Sequence, residues 1–202
     1  MQIRGAALMQ RSLSLLVLAL ILAACMPELN WRETSPPESG FVVLMPGKPD
    51  RMSRDINLNG LNIKMHMVGS KVDPVSYTVA WVKTDSAAQA QRAAQAMRLG
   101  MLKNLGQLDQ PGRPVLVRIK PAPGQETGGE PTKIAALAIE LKPQGKDGSA
   151  GSAKVQGTVA EQAMSAYFVA YGNQAWQAVV LGKAIDAEAA KQFLDSFQLL
   201  AQ

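Results

Sequence analysis

The chain has one cysteine, one histidine and only ten aromatic residues in 202: three Trp, three Tyr and four Phe. A single cysteine forms no intrachain disulfide, so a fold must be held by its core alone. A single histidine, His66, supplies neither a Ser-His-Asp relay with a sequence signature nor a multi-histidine metal site. Gly47-Lys48, Gly145-Lys146 and Gly182-Lys183 are followed by Pro, Asp and Ala, which excludes a Walker phosphate loop. Gly145, Gly148 and Gly151 are evenly spaced but lack the strand-to-helix setting of a dinucleotide fingerprint. No cofactor is expected. Lys and Arg are scattered (Arg51, Arg54, Lys64, Lys71, Lys83, Arg92, Arg98, Lys103, Arg113, Arg118, Lys120), without the basic face interleaved with aromatics that nucleic acid demands. The apolar run Leu13 to Ala24 is about 12 residues, short of the roughly 20 needed to span a bilayer.

What is present begins at the N-terminus. Arg4 and Arg11 precede an apolar stretch (Leu15, Leu16, Val17, Leu18, Leu20, Ile21) that closes on Leu22-Ala23-Ala24-Cys25. A basic start, a short apolar run and small residues before a cut site predict a secretory signal peptide over residues 1–24. The segment resembles a bacterial lipoprotein signal with its lipobox. That resemblance implies cleavage after Ala24, acylation of Cys25 by several chains, palmitate among them, and membrane lipid as a partner. One acyl chain alone would anchor only marginally. Met26 stands where aspartate would favour inner-membrane retention, so in a Gram-negative host the resemblance implies the outer membrane, with the domain facing the periplasm. The other readings of Cys25 are a buried thiol or an ordinary signal cleaved nearby. Removal of Arg4 and Arg11 with the signal lowers the formal charge from +5 to +3.

Residues 25–40, punctuated by Pro27, Pro36 and Pro37, read as a lipidated cysteine followed by a tether, with Trp31 docking on the domain or sitting at the membrane surface. Residues 41–202 read as a single α+β domain. Phe41 to Met45 is a short strand stopped by Pro46-Gly47-Lys48-Pro49. Leu61, Ile63, Met65 and Met67 alternate with polar residues, the period of a half-buried strand, and Tyr77, Val79 and Trp81 share one face of the next. Ser86 with Gln89 makes a capping-box signal. Ala90, Ala94, Met97, Met101, Leu105 and Leu108 then mark a long amphipathic helix over about 86–107, with Gly100 inside it suggesting close approach to a sheet. Strands follow at Pro114–Lys120, at Lys133–Lys142 and around Ala166–Tyr171; Gly172-Asn173 turns into Ala175–Leu181 as a hairpin. Loops are expected at 121–131 and 144–152, and 155–164 is ambiguous. Asp186 caps a last helix, about 186–200, with Ala190, Phe193, Leu194 and Phe197 on its apolar face. This order predicts a mainly antiparallel sheet packed by two helices.

The opening Phe41-Val42-Val43-Leu44-Met45-Pro46-Gly47-Lys48-Pro49 and the closing Ala190-Lys191-Gln192-Phe193-Leu194-Asp195-Ser196-Phe197 resemble the first strand-turn and last helix of PsbP-like α+β sandwich domains, which recur in bacterial envelope lipoproteins of unassigned role. The resemblance runs from Gly40 to Leu200 and implies a fold, with no catalytic residue to carry over.

Met65-His66-Met67 offers soft ligands on paper, but strand geometry points the methionines to one face and His66 to the other. Asp50 and Asp55 flank what reads as a basic turn at Arg51 and Arg54, and Glu126 and Glu130 share a loop; neither pair has a catalytic signature. Trp81 and Trp176 read as core packing or as a ligand-binding wall between sheet and helix. No catalytic, metal-ligating or cofactor-binding residue is assigned. The leading expectation is a non-enzymatic, lipid-anchored interaction or assembly module with an unknown envelope protein as partner. A carrier of a small apolar ligand, with its pocket under the Ala90–Leu108 helix, is the alternative, and a hydrolase of dispersed residues is a third.

Overall fold

The computed structural model describes residues 29–121, 130–143 and 162–201. Cys25, Ala24, Glu126, the glycines of 145–151 and most of 155–164 lie outside the described residues. No helix among the described residues is long and apolar enough to cross a membrane.

Among the described residues, ten strands and two helices follow in order: β1 (Trp31–Thr34), β2 (Phe41–Pro46), β3 (Asp50–Leu58), β4 (Leu61–Val72), β5 (Val75–Lys83), α1 (Ala87–Asn104), β6 (Arg113–Lys120), β7 (Lys133–Leu141), β8 (Ala163–Tyr171), β9 (Gln174–Gly182), α2 (Ala187–Ser196) and β10 (Gln198–Leu200). The strands form one sheet in the order β1-β2-β10-β6-β7-β8-β9-β5-β4-β3. All neighbours are antiparallel except β10 and β6, which are parallel. The α+β class and the two helices agree with expectation. The sheet is larger than expected and mixed, because three strands, two of them only three or four residues long and the third broken by Arg54, carry little apolar alternation to announce them. β1 lies within the segment read as tether and pairs Trp31 with Pro46. β3 replaces the basic turn at Arg51 and Arg54. The last helix ends at Ser196 rather than about 200, and the chain passes through Phe197 into β10.

The two helices divide the core between the faces of the sheet. On one face, Ala93, Met97, Leu102 and Leu105 of the α1 region pack on Met65, Ala80, Val82, Ile139, Leu141, Met164, Ala166, Phe168 and Val179. Small residues on the helix let it lie close to β8 and β9. On the other face the sheet curls, bringing β2 over β4. Phe41 meets Trp81 and Phe197 edge-on or tilted, with ring centroids 5.5 and 5.6 Å apart, and Tyr77 meets Phe193 at 5.5 Å. Trp31 docks edge-on against Tyr77 at 6.2 Å.

The start of α1 follows its sequence signal. Ser86 Oγ accepts the Gln89 N–H at 3.3 Å, and Gln89 Oε1 accepts the Asp85 N–H at 3.0 Å, one residue before the cap itself. Its end comes earlier than expected. The Gly106 N–H donates to the Lys103 carbonyl and the Gln107 N–H to the Leu102 carbonyl, the paired bonds of a Schellman stop. Leu108 falls beyond that stop and is 52% exposed, so it leaves the apolar stripe.

Gly100 also departs from expectation. A Cβ built on it meets nothing within 4 Å, and the residue is exposed in mid-helix, so no close approach to the sheet requires it. Glycine at such a position costs about 0.5–1 kcal/mol relative to alanine through chain entropy. Gly100→Ala is therefore expected to raise stability by that amount, read as a higher urea midpoint at unchanged slope.

Candidate functional site

Helix α2 packs chiefly on β2 and more lightly on β8 and β9, and open space remains between it and residues of β6, β7 and β8. Small side chains on both walls, Ala138 and Ala163 from the strands and Ala187 and Ala190 from the helix, leave a groove of about 1110 Å³. Its position follows from the α2 cap: Asp186 Oδ1 accepts the Ala189 N–H at 2.7 Å and starts the helix directly after the Lys183-Ala184-Ile185 wall. The other end of α2 is fixed through Ser196, whose Oγ donates to the Phe193 carbonyl (2.7 Å) and accepts the Leu44 N–H of β2 (2.9 Å). Pro143 and Ala163 line one end of the groove, so the chain leaves the described residues and returns to them beside it.

The floor is mostly apolar, with Val115, Ala138, Leu194 and the ring of Tyr167, and Ser165 adds one hydroxyl to it. The rim is charged: Arg113, Lys142, Lys183 and Lys191 against Glu140 and Asp195, a cationic excess. Arg113 and Glu140 are 3.7 Å apart, and Lys191 is hydrogen-bonded to Asp195 one helical turn on. Both pairs are exposed, and exposed ion pairs add little to stability. They order the rim more than they stabilise the fold.

The resolved pKa shifts among the described residues all run upward. Burial raises the Tyr167 phenol, Asp195 adds to the rise, and Arg113 and Lys191 oppose it. Burial also raises Tyr77, helped by Asp186. The hydrogen bond to Asp195 holds the Lys191 ammonium above its ordinary value. At neutral pH Tyr167 is therefore a neutral donor and acceptor and Lys191 a fixed cation, and neither is poised as a general base. The phenol shifts carry a signed consequence. The unfolded chain releases these protons near pH 10.0 while the folded chain still holds them. Their contribution is intact below that pH and is lost as pH rises through the folded values. Denaturation midpoints measured from pH 9 upward should fall once pH 10 is passed, and Tyr77→Phe and Tyr167→Phe should each flatten the fall.

The residues weighed in the sequence are dispersed in the fold. His66 stacks on Trp81, centroids 5.3 Å apart and planes 22° from parallel, while Met65 and Met67 occupy the α1 face, as strand geometry required. Trp81 and Trp176 are opposed in register on β5 and β9 and buried, so they are core. Their face lies under β2, not under α1. Under α1, where a carrier pocket was expected, the layer over β8 and β9 is filled by side chains, and a smaller cavity of about 420 Å³ lies between the helix and the β3–β4 turn, lined by Leu58, Leu61, Arg92, Ala93 and Leu99. Asp50 and Asp55 are exposed on β3 and fall on opposite faces of it, and Glu130 is exposed. Among the described residues, no three His, Cys, Asp or Glu side chains converge as metal ligands. The groove residues Arg113, Glu140, Tyr167, Lys191 and Asp195 were not singled out in the sequence. Their only local signal is the i,i+4 spacing of Lys191 and Asp195. No family model, curated protein or solved structure matches the chain.

Proposed function

We propose that this protein is a lipid-anchored module of the bacterial cell envelope that acts by binding another envelope protein and not by catalysis. Acylated Cys25 is the anchor, residues 1–24 are removed, and the globular part is a PsbP-like domain facing the periplasm from the outer membrane. The observation that carries the binding role is the groove beside α2. A mostly apolar floor inside a charged rim is the anatomy of a protein interface, and the raised Tyr167 phenol and Lys191 ammonium both stay protonated at neutral pH. The groove reaches the upper size of small-molecule pockets, about 1,000 Å³, which suits an extended segment of a partner better than a single small ligand.

The position of β1 sharpens the anchor's geometry. Trp31, the first residue of the sheet, lies six positions after Cys25. Fully extended, that span reaches only about 20 Å, against roughly 50 Å for a tether that ran to Gly40. The domain in this reading works close to the membrane surface.

In-cell crosslinking of the tagged chain tests both parts. Cys25→Ser should leave the membrane fraction, lose lipid label and lose the partner crosslink. Arg113→Glu with Lys191→Glu should keep the protein on the membrane and folded while the partner crosslink disappears. A Cys25→Ser product that stays lipid-labelled sinks the anchor. A partner crosslink indifferent to the rim charges sinks the groove, and an apolar ligand retained in native mass spectra would favour a carrier.

A further inference from the structure

The outer edge of β3 is unpaired among the described residues, since β3 ends the sheet. Every residue from Asp50 to Asp55 is exposed, and Met52, on the α1 face opposite Met67, is 62% exposed. Proteins blunt such edges with charge. A protective set of one sign would repel a second copy, whereas here the charges form a palindrome, Asp50-Arg51-Met52-Ser53-Arg54-Asp55.

The turn at Asn59-Gly60 decides how that palindrome can be read. Both residues have positive φ, 54° and 91°, so the β3–β4 connection is a two-residue type I′ hairpin. Leu58 and Leu61 are then a hydrogen-bonded pair. Bonded pairs recur every second residue, so the even residues of β3 bond to β4. The N–H and C=O groups of Arg51, Ser53 and Asp55 face outward. An antiparallel second copy must match odd residues with odd. The register that opposes Asp50 to Asp55 and Arg51 to Arg54, like charge on like, is thereby excluded.

We propose that the protein self-associates through antiparallel pairing of β3 with β3 of a second copy, about a two-fold axis at Met52. This register sets Asp50 opposite Arg54 of the second copy, twice by symmetry, and Met52 opposite its counterpart. These are non-hydrogen-bonded positions, where side chains stand closest. Arg51 bonds across to Ser53 of the second copy and lies diagonal to its Asp55. The exposed methionines are covered beside Met67, and the two sheets become continuous. Such an interface is isologous, so it closes as a dimer and does not propagate.

The full chain in its membrane tests the pairing. At a non-hydrogen-bonded site the two Cα atoms stand about 4.5 Å apart, within disulfide reach. Met52→Cys should give a disulfide-linked dimer on non-reducing gels, while wild type and Ser53→Cys should not. Adding Asp50→Arg to Met52→Cys, or Arg54→Asp to Met52→Cys, should abolish the dimer in each case. Co-expression of those two chains with tags of different size should restore only the mixed dimer. One chain then carries arginine at both positions 50 and 54 and the other aspartate at both, so every cross-strand pair joins opposite charges. That rescue also shows that both variants fold. No dimer from Met52→Cys, a dimer unaffected by either reversal, or a dimer from Ser53→Cys in its place would overturn the proposal.

Discussion

Trp176→Ala is expected to be the most damaging single substitution in the domain. Trp176 is fully buried, and its indole N–H donates to the Ser39 carbonyl at 2.7 Å. Truncating a buried tryptophan costs about 3–5 kcal/mol through lost contacts and the remaining cavity. The Ser39 carbonyl loses its donor as well, which adds about 1–3 kcal/mol where water does not reach it. A domain of this size has about 5–15 kcal/mol in total, so the variant should lose much of its denaturation midpoint or fail to show a cooperative transition. Trp176→Phe separates the two contributions. It keeps most of the apolar packing and loses the hydrogen bond, so its cost should be about 1–3 kcal/mol. Urea denaturation followed by far-ultraviolet circular dichroism checks both. A Trp176→Ala loss under about 2 kcal/mol would mean that the loop over β9 rearranges to fill the space.

This residue also shows where sequence reading succeeds and where it stops. Trp176 is legible as a buried strand residue because Ala175 to Leu181 is apolar on both sides and Gly172-Asn173 marks the turn before it. Its partner is not legible, since Ser39 lies 137 positions away in a segment that reads as tether. The missed strands share this cause. β3 is an edge strand whose apolar face, Met52, Ile56 and Leu58, is interrupted by Arg54 and at most partly buried, so its alternation is weak. Its clearest local signal is Asn59-Gly60, the strongest short hairpin cue, which explains the turn and implies a strand on each side of it. β10 buries only Leu199 among its three residues, and the i, i+3, i+4, i+7 pattern of α2 leads smoothly toward it. What ends that helix is the extended backbone at Phe197, beside a Ser196 side chain shared with β2. The parallel pairing of β10 with β6 then follows from tertiary placement alone. The groove is unreadable for the same reason: it is assembled from β6, β7, β8 and α2, and its volume depends on α2 leaning toward β2.

Gly40→Ala should destabilise the protein by about 2–5 kcal/mol, although it adds one methyl group. Gly40 has φ of +68°, a conformation that costs a side-chain-bearing residue about 1–2 kcal/mol. A Cβ there would also lie 2.6 Å from Gln174 Oε1 and 3.0 Å from Trp176 Cζ2. Trp176 is fully buried and cannot give way. Gln174 can shift only by weakening its 3.1 Å bond to the Glu38 carbonyl, so the overpacking adds about 1–3 kcal/mol. Because Glu38, Ser39 and Gly40 join β1 to β2, the damage should spread toward the anchor and raise proteolytic nicking between residues 31 and 40. The cost should shrink by at least about 0.5 kcal/mol on the Trp176→Phe background, since phenylalanine has no atom at the Cζ2 position. Gly100→Ala supplies the control: the same added methyl group, in open space and at an ordinary helical φ, should shift the midpoint the other way. If both glycine variants moved stability in the same direction, the crowding of Gly40 by β9 would not be what holds this loop.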